Sequence, residues 1–145
     1  MQSAADITTV AQVIQMAVAP VFLLTGVGAI LNVITSRLAR IVDRSRVLGI
    51  SNDQNKSAQK EEMAMLARRA RWVHWSVSLC TMSALFICIV IAALFVGSET
   101  GMDPSRAVSL LFISAMLTLI SGLLCFLREI FLAIGGIAAA KKLRI

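Results

Sequence analysis

Residues 72–97, WVHWSVSLCTMSALFICIVIAALFVG, decide the fold class of this chain. They contain no Asp, Glu, Lys or Arg, and a bilayer core of about 30 Å needs only about 20 helical residues to be crossed. Residues 11–36 and 107–127 meet the same requirement. Strands of a membrane barrel would alternate in polarity, whereas residues 85–96 are apolar throughout. The sequence therefore predicts an all-α integral membrane protein with three transmembrane helices.

The composition supports the same class. Of 145 residues, 58% are hydrophobic and 15% are charged, whereas a soluble domain has about 45–50% apolar and about 25% charged residues. A chain of this length forms one domain, and its small core cannot bury so much apolar surface. Much of that surface must therefore face lipid.

The distribution of basic residues predicts the topology. Thirteen of the 14 Lys and Arg residues lie in segments 37–71 and 128–145, and Arg106 is the exception. Basic flanking segments stay in the cytoplasm, so the N-terminus is predicted outside the cytoplasm and the C-terminus inside it. The predicted order is outer leader 1–10, first span 11–36, cytoplasmic helical hairpin 37–71, second span 72–97, outer loop 98–106, third span 107–127 and basic tail 128–145.

Several local features leave alternatives open. Pro20 lies within the first span, where it predicts either a hinge or a simple bend. Residues after Phe131 either continue the third helix or lie along the membrane surface. Trp72 and Trp75 flank the only histidine and are typical of aromatic anchors at the membrane interface.

Polar residues recur along the first span and form a candidate pore lining. They are Gln15, Thr25, Asn32 and Ser36. A polar stripe on a membrane helix faces protein or water, so it indicates either close helix packing or the lining of a passage. Three helices are too few to enclose a water-filled path, so conduction would require a homo-oligomer with this helix at its axis.

Charges are expected at both mouths of such a passage. The candidate inner-rim charges are Arg37, Arg40, Arg128 and Glu129, and the candidate outer-mouth acids are Asp6, Glu99 and Asp103. A charge at the bilayer centre would cost at least about 2.5–3.5 kcal/mol, which places Glu129 at the interface. There it is expected to form a salt bridge with Arg37, Arg40, Arg68 or Arg71, with a gating or ion-binding role as the alternative.

Other classes of function have little support in the sequence. It contains no phosphate loop, nucleophile elbow or His–Glu metal motif, and we predict no enzyme, catalytic residue, cofactor or metal. The basic segments carry no nucleic-acid motif, and their position beside the membrane predicts attraction to anionic lipids instead. The rival to a channel is a scaffold or accessory subunit that binds a protein partner through its cytoplasmic hairpin.

Several motifs resemble a known family. They are PVFLL at 20–24, LNV at 31–33, RLARIVDR at 37–44, RRAR at 68–71, CTMSAL at 80–85 and FLREI at 126–130. Together they resemble the bacterial membrane family catalogued as domain of unknown function 2721. The resemblance implies a small helical inner-membrane protein and supplies no activity or site residue.

Overall fold

The computed structural model describes residues 2–50, 56–100 and 105–142, with side chains described for residues 10–50, 57, 59–100 and 105–135. These residues form three long helices and no strand: α1 (Gln2–Ile50), α2 (Lys56–Thr100) and α3 (Ser105–Lys142). The prediction of an all-α chain with three long apolar helices is confirmed.

Each helix contains a segment that is long and apolar enough to cross a membrane. The candidate spans are Val10–Ile50, Gln59–Thr100 and Ser105–Gly135, and their most apolar windows are only 22%, 22% and 17% buried within the described part of the chain. So much exposed apolar surface is unfavourable in water and is the normal condition of helices that face lipid. The three helices therefore indicate a multi-pass membrane protein.

The helices extend beyond the spans that the sequence predicts. α1 continues through Pro20 and past Arg37 to Ile50, and α2 ends at Thr100. α3 continues beyond Phe131 to Lys142 as one helix.

The chain divides into two compact units. The first unit consists of Met1–Ile30 and Cys80–Ile120, and the second of Leu31–Leu79 and Ser121–Ile145. Each unit contains a part of all three helices.

Buried positions recur every seven residues in each helix. In α1 they are Pro20, Val27, Ile34, Ile41 and Leu48; in α2 they are Leu66, Val73, Cys80 and Ile87, with a second series of Ser76, Ser83, Val90 and Gly97; in α3 they are Ala115, Gly122 and Glu129. This spacing is typical of helices packed side by side with coiled-coil geometry. Many of these residues are small, which allows close approach between membrane helices.

Side-chain hydrogen bonds join α2 to α3 in both units. In the first unit the Ser83 hydroxyl donates to the carbonyl of Ala115 at 2.8 Å, and in the second the Ser76 hydroxyl donates to the carbonyl of Gly122 at 2.7 Å. Both serines are fully buried. In the second unit Arg69, seven residues before Ser76, contacts Glu129, seven residues after Gly122, so the parts of α2 and α3 in this unit run antiparallel.

Candidate functional site

The candidate pore-lining residues are all exposed on α1. Gln15 and Thr25 are exposed, and each precedes a buried residue, Ala17 or Val27, by two positions. Two residues correspond to about 200° around a helix with 3.6 residues per turn. In the first unit this polar face is therefore directed away from the packed side of the helix.

The same relation holds in the second unit. Asn32 and Ser36 are exposed, and they lie two residues before and after Ile34, which is completely buried. We call Gln15, Thr25, Asn32 and Ser36 the polar stripe. None of its four residues is buried within the described part of the chain.

The hydroxyl and amide groups of the stripe differ in their hydrogen bonding. Thr25 donates to the carbonyl of Val21 at 3.2 Å and Ser36 to the carbonyl of Asn32 at 2.8 Å, so both hydroxyls are satisfied within α1. The side-chain amides of Gln15 and Asn32 have no hydrogen-bond partner among the residues that the structure describes. An amide in hydrocarbon without a partner is costly, so these two groups require water or another protein surface.

Glu129 is the most deeply buried charged residue among those described. Its side chain is 0% exposed, and its Oε1 accepts hydrogen bonds from Nη2 and Nε of Arg69 at 2.8 and 3.2 Å. Nη1 of Arg37 lies 3.6 Å from the second carboxylate oxygen, Oε2. One residue from each helix thus meets here, and a carboxylate between two guanidinium groups is the arrangement that a buried charge requires.

The second oxygen of Glu129 is not fully satisfied. Oε2 is buried and has no hydrogen-bond partner within the described part of the chain, since Arg37 is too distant for a hydrogen bond. The Arg37 guanidinium also lies over the ring of Phe126, 5.4 Å from its centroid, which is a cation–π distance. Arg37 is therefore held by charge and by an aromatic ring.

The other inner-rim candidates lie apart from this carboxylate. Arg40 is exposed and forms no ion pair with any described residue. The Arg128 guanidinium lies over the ring of Trp72 at 5.2 Å from its centroid. Arg68 and Arg71, which we expected as possible partners of Glu129, are exposed and make no ion pair with it.

A cavity of about 650 Å³ opens beside Glu129 in the second unit. We call it the arginine cavity. Its lining consists of Asn32, Val33, Ser36, Arg37, Arg40, Ile41, Arg44, Leu66, Arg69 and Glu129. Four arginines and one carboxylate thus line the cavity together with two residues of the polar stripe. This volume lies within the range of small-molecule sites, about 300–1,000 Å³.

Arg44 belongs to a second ion pair at the edge of this cavity. Its Nη2 and Nε donate to Oε1 of Glu62 at 2.9 and 3.1 Å, and both side chains are about half exposed. Near it, the Gln59 side-chain amide donates to the carbonyl of Leu48. These contacts join the end of α1 to the start of α2.

The structure gives less information about the outer-mouth acids. Glu99 is exposed near the end of α2. Asp103 and the side chain of Asp6 lie outside the described residues, as do the side chains of the C-terminal basic residues. No cluster of three or more His, Cys, Asp or Glu side chains that could hold a metal occurs in the described ranges.

Arg69 is the site residue that the sequence analysis missed. It lies seven residues before Ser76, and Glu129 lies seven residues after Gly122, so the Arg69–Glu129 pair continues the register of the α2–α3 hydrogen bonds. The seven-residue spacing of small and polar residues in both helices was the signal that could have identified it. That spacing identifies Arg69 as the partner of Glu129 only when the antiparallel register of α2 and α3 is known.

Comparison with known proteins gives one match. A family described as protein of unknown function, DUF2721, matches residues 17–139, which includes every residue that lines the arginine cavity. No curated protein and no solved structure matches the chain.

Proposed function

The chain belongs to the DUF2721 family, and from this starting point we propose that it is a bacterial inner-membrane protein that forms a homo-oligomeric channel or transport-related assembly. In this proposal α1 lines the axis of the oligomer. The observation that carries it is the polar stripe, which lies on the lipid-accessible side of α1 and includes two unpartnered amides.

The proposed topology places the N-terminus outside and the segment 37–71 in the cytoplasm as a helical hairpin. The excess of basic residues in this segment supports the orientation. The helices on either side of residues 51–55 support the hairpin, because Arg44 of α1 pairs with Glu62 of α2 at 2.9 Å. The C-terminal end of α3 then lies on the same cytoplasmic side.

Association of several copies would cover the polar stripe. Lipid cannot hydrogen-bond to Gln15 or Asn32, whereas a second copy or a water-filled passage can. Small residues such as Ala29, which is exposed on the same side of α1, would allow neighbouring copies to approach closely. A symmetric ring about one axis is the usual way in which identical chains satisfy such a surface.

The charges at the two mouths do not select one kind of ion. The acidic residues Asp6, Glu99 and Asp103 would attract cations at the outer side, whereas Arg40 and Arg37 would favour anions at the inner side. Both signs of ion therefore belong in the experimental test.

Flux through proteoliposomes tests this function. Vesicles that contain the purified full-length protein are expected to pass cations or anions, and N32L is expected to reduce the flux several-fold because it removes the amide from the stripe. S114A is the matched control: its hydroxyl, on α3, bonds to the carbonyl of its own helix at Leu110. A sealed oligomer that passes neither kind of ion would reject the channel.

A scaffold or accessory subunit is the second candidate function. It is favoured by apolar side chains that remain exposed on the proposed hairpin: Met65 is 55% exposed, Val47 58% and Ile50 84%. Exposed apolar surface beyond the membrane marks contact sites for proteins. The scaffold would be favoured over the channel if the wild-type protein co-purifies with one other protein in a stoichiometric amount and M65K does not.

A further inference from the structure

We propose that the arginine cavity binds a phosphate group, either in the headgroup of a membrane lipid or in a soluble phosphate compound. The site shares Asn32, Ser36, Arg37 and Arg40 with the proposed passage, but it needs only the side chains of one unit of a single chain and does not require an oligomer.

The cavity carries more positive charge than its own carboxylates neutralise. Arg69 forms an ion pair with Glu129 at 2.8 Å, and Arg44 forms one with Glu62 at 2.9 Å. Arg40 has no carboxylate partner among the described residues, and Arg37 lies 3.6 Å from an oxygen that it does not hydrogen-bond. Two guanidinium groups therefore retain their N–H donors for a ligand.

These donors lie on adjacent turns of the same helix. Arg37 and Arg40 are three residues apart, so their side chains lie on neighbouring positions of the α1 surface. A planar guanidinium matches the oxygens of a phosphate in a bidentate geometry, and hydrogen bonds in which a partner is charged are the stronger ones. The unpartnered amide of Asn32 adds a neutral donor to the same wall, whereas the Ser36 hydroxyl already donates to the carbonyl of Asn32.

Glu129 and Phe126 hold the arginines in place without neutralising the site. Phe126 stacks on the Arg37 guanidinium at 5.4 Å, and Glu129 accepts both hydrogen bonds from Arg69. A side chain held in this way loses less conformational entropy when a ligand binds. Arg37 and Arg69 are thus held in position before a ligand arrives.

The place of the cavity along the sequence suits a lipid phosphate. The charge-free stretch of α1 ends at Ser36, and Arg37 is the first basic residue after it. The cavity extends from Asn32 to Arg44 along α1, so it spans the boundary between apolar and basic segments, where headgroup phosphates lie. Its apolar members, Val33, Ile41 and Leu66, give a surface for the adjoining hydrocarbon or glycerol carbons.

The test measures binding by the full-length protein in a neutral detergent. The probes are phosphatidylglycerol, phosphatidylcholine and inorganic phosphate, and the readouts are retained lipid by native mass spectrometry and the shift in the thermal unfolding midpoint. R40Q is the test variant because Arg40 forms no ion pair that the substitution would break. R46Q is the matched control: Arg46 is also exposed on α1 but does not line the cavity.

We expect phosphatidylglycerol to bind, R40Q to weaken its binding about tenfold or more, and R46Q to change it less than about twofold, since one charged hydrogen bond contributes about 1.5–3 kcal/mol. Inorganic phosphate that displaces the lipid and raises the unfolding midpoint would identify a site for soluble phosphate as well. Lipid binding that phosphate does not displace would assign the site to the headgroup. Equal losses in R40Q and R46Q, or no binding of any probe, would overturn the proposal.

Discussion

Oε1 of Glu129 on α3 accepts two hydrogen bonds from the guanidinium of Arg69 on α2, at 2.8 and 3.2 Å, and the Glu129 side chain is completely buried. The pair lies one heptad beyond the hydrogen bond from Ser76 to Gly122. It therefore continues the α2–α3 register with a charged contact. Removal of Arg69 would take away both of these hydrogen bonds and leave the buried carboxylate with Arg37, 3.6 Å from Oε2.

Replacement of Arg69 by methionine is expected to destabilise the protein by about 3–5 kcal/mol, the usual effect of breaking a buried ion pair. The double substitution R69M/E129L should recover much of this loss, because it removes both charges and leaves apolar groups in their place. Thermal unfolding in detergent measures both effects, and a double-mutant cycle gives the coupling between the two residues. Additive losses in the double variant would show that the contact is not energetically coupled.

The Arg44–Glu62 pair provides the control for this experiment. Its side chains are 56% and 43% exposed, and exposed ion pairs contribute about 0–1 kcal/mol. R44M should therefore lower stability by less than about 1 kcal/mol. A loss as large as that of R69M would contradict the distinction between the buried and the exposed pair.

The close contact between α2 and α3 predicts that Ala115 cannot accept a larger side chain. Ala115 is 0% exposed and its carbonyl accepts the hydrogen bond from Ser83. A115L should destabilise the protein by about 1–3 kcal/mol through overpacking. A107L is the control, because Ala107 is exposed on the same helix. Equal unfolding midpoints for the two variants would contradict the packing seen here.

The direction of the polar stripe predicts where copies of the chain meet. Ala29 is exposed and lies two residues after the buried Val27, so a large side chain there would project from the proposed interface. A29W is expected to reduce the oligomer to a smaller species without lowering the unfolding midpoint. A92W is the control on the exposed surface of α2. If light scattering finds the same mass for A29W and wild type, this face of α1 does not form the interface between copies.

The proposed topology predicts opposite accessibility for two exposed acids. In a background in which Cys80, Cys88 and Cys125 are replaced by alanine, E99C should react with a membrane-impermeant maleimide from outside the cell. D43C should react only after the membrane is permeabilised. Labelling of both positions from the same side would invalidate the topology and the arrangement of the two mouths.

The fold class and the number of helices could be predicted because both depend on local composition. An apolar stretch such as 72–97 must be helical in lipid, since every backbone donor and acceptor has to be satisfied within the segment. The cost of a charge at the bilayer centre predicted an interfacial position for Glu129. The helical pattern of segment 37–71 also predicted that the first two helices continue beyond their spans, and α1 does extend to Ile50 and α2 does begin at Lys56.

The sequence by itself determined an all-helical chain with three spanning segments and a polar stripe on the first of them. Only the tertiary structure decided that Glu129 meets Arg69, that Arg40 keeps no carboxylate partner among the described residues, and that the residues of the stripe stay exposed. Hydrophobicity is a property of each residue and can be read from the sequence. Which of the many arginines pairs with Glu129 depends instead on the register between helices. Contacts between small residues such as Ser76 and Gly122, distant in sequence, set that register.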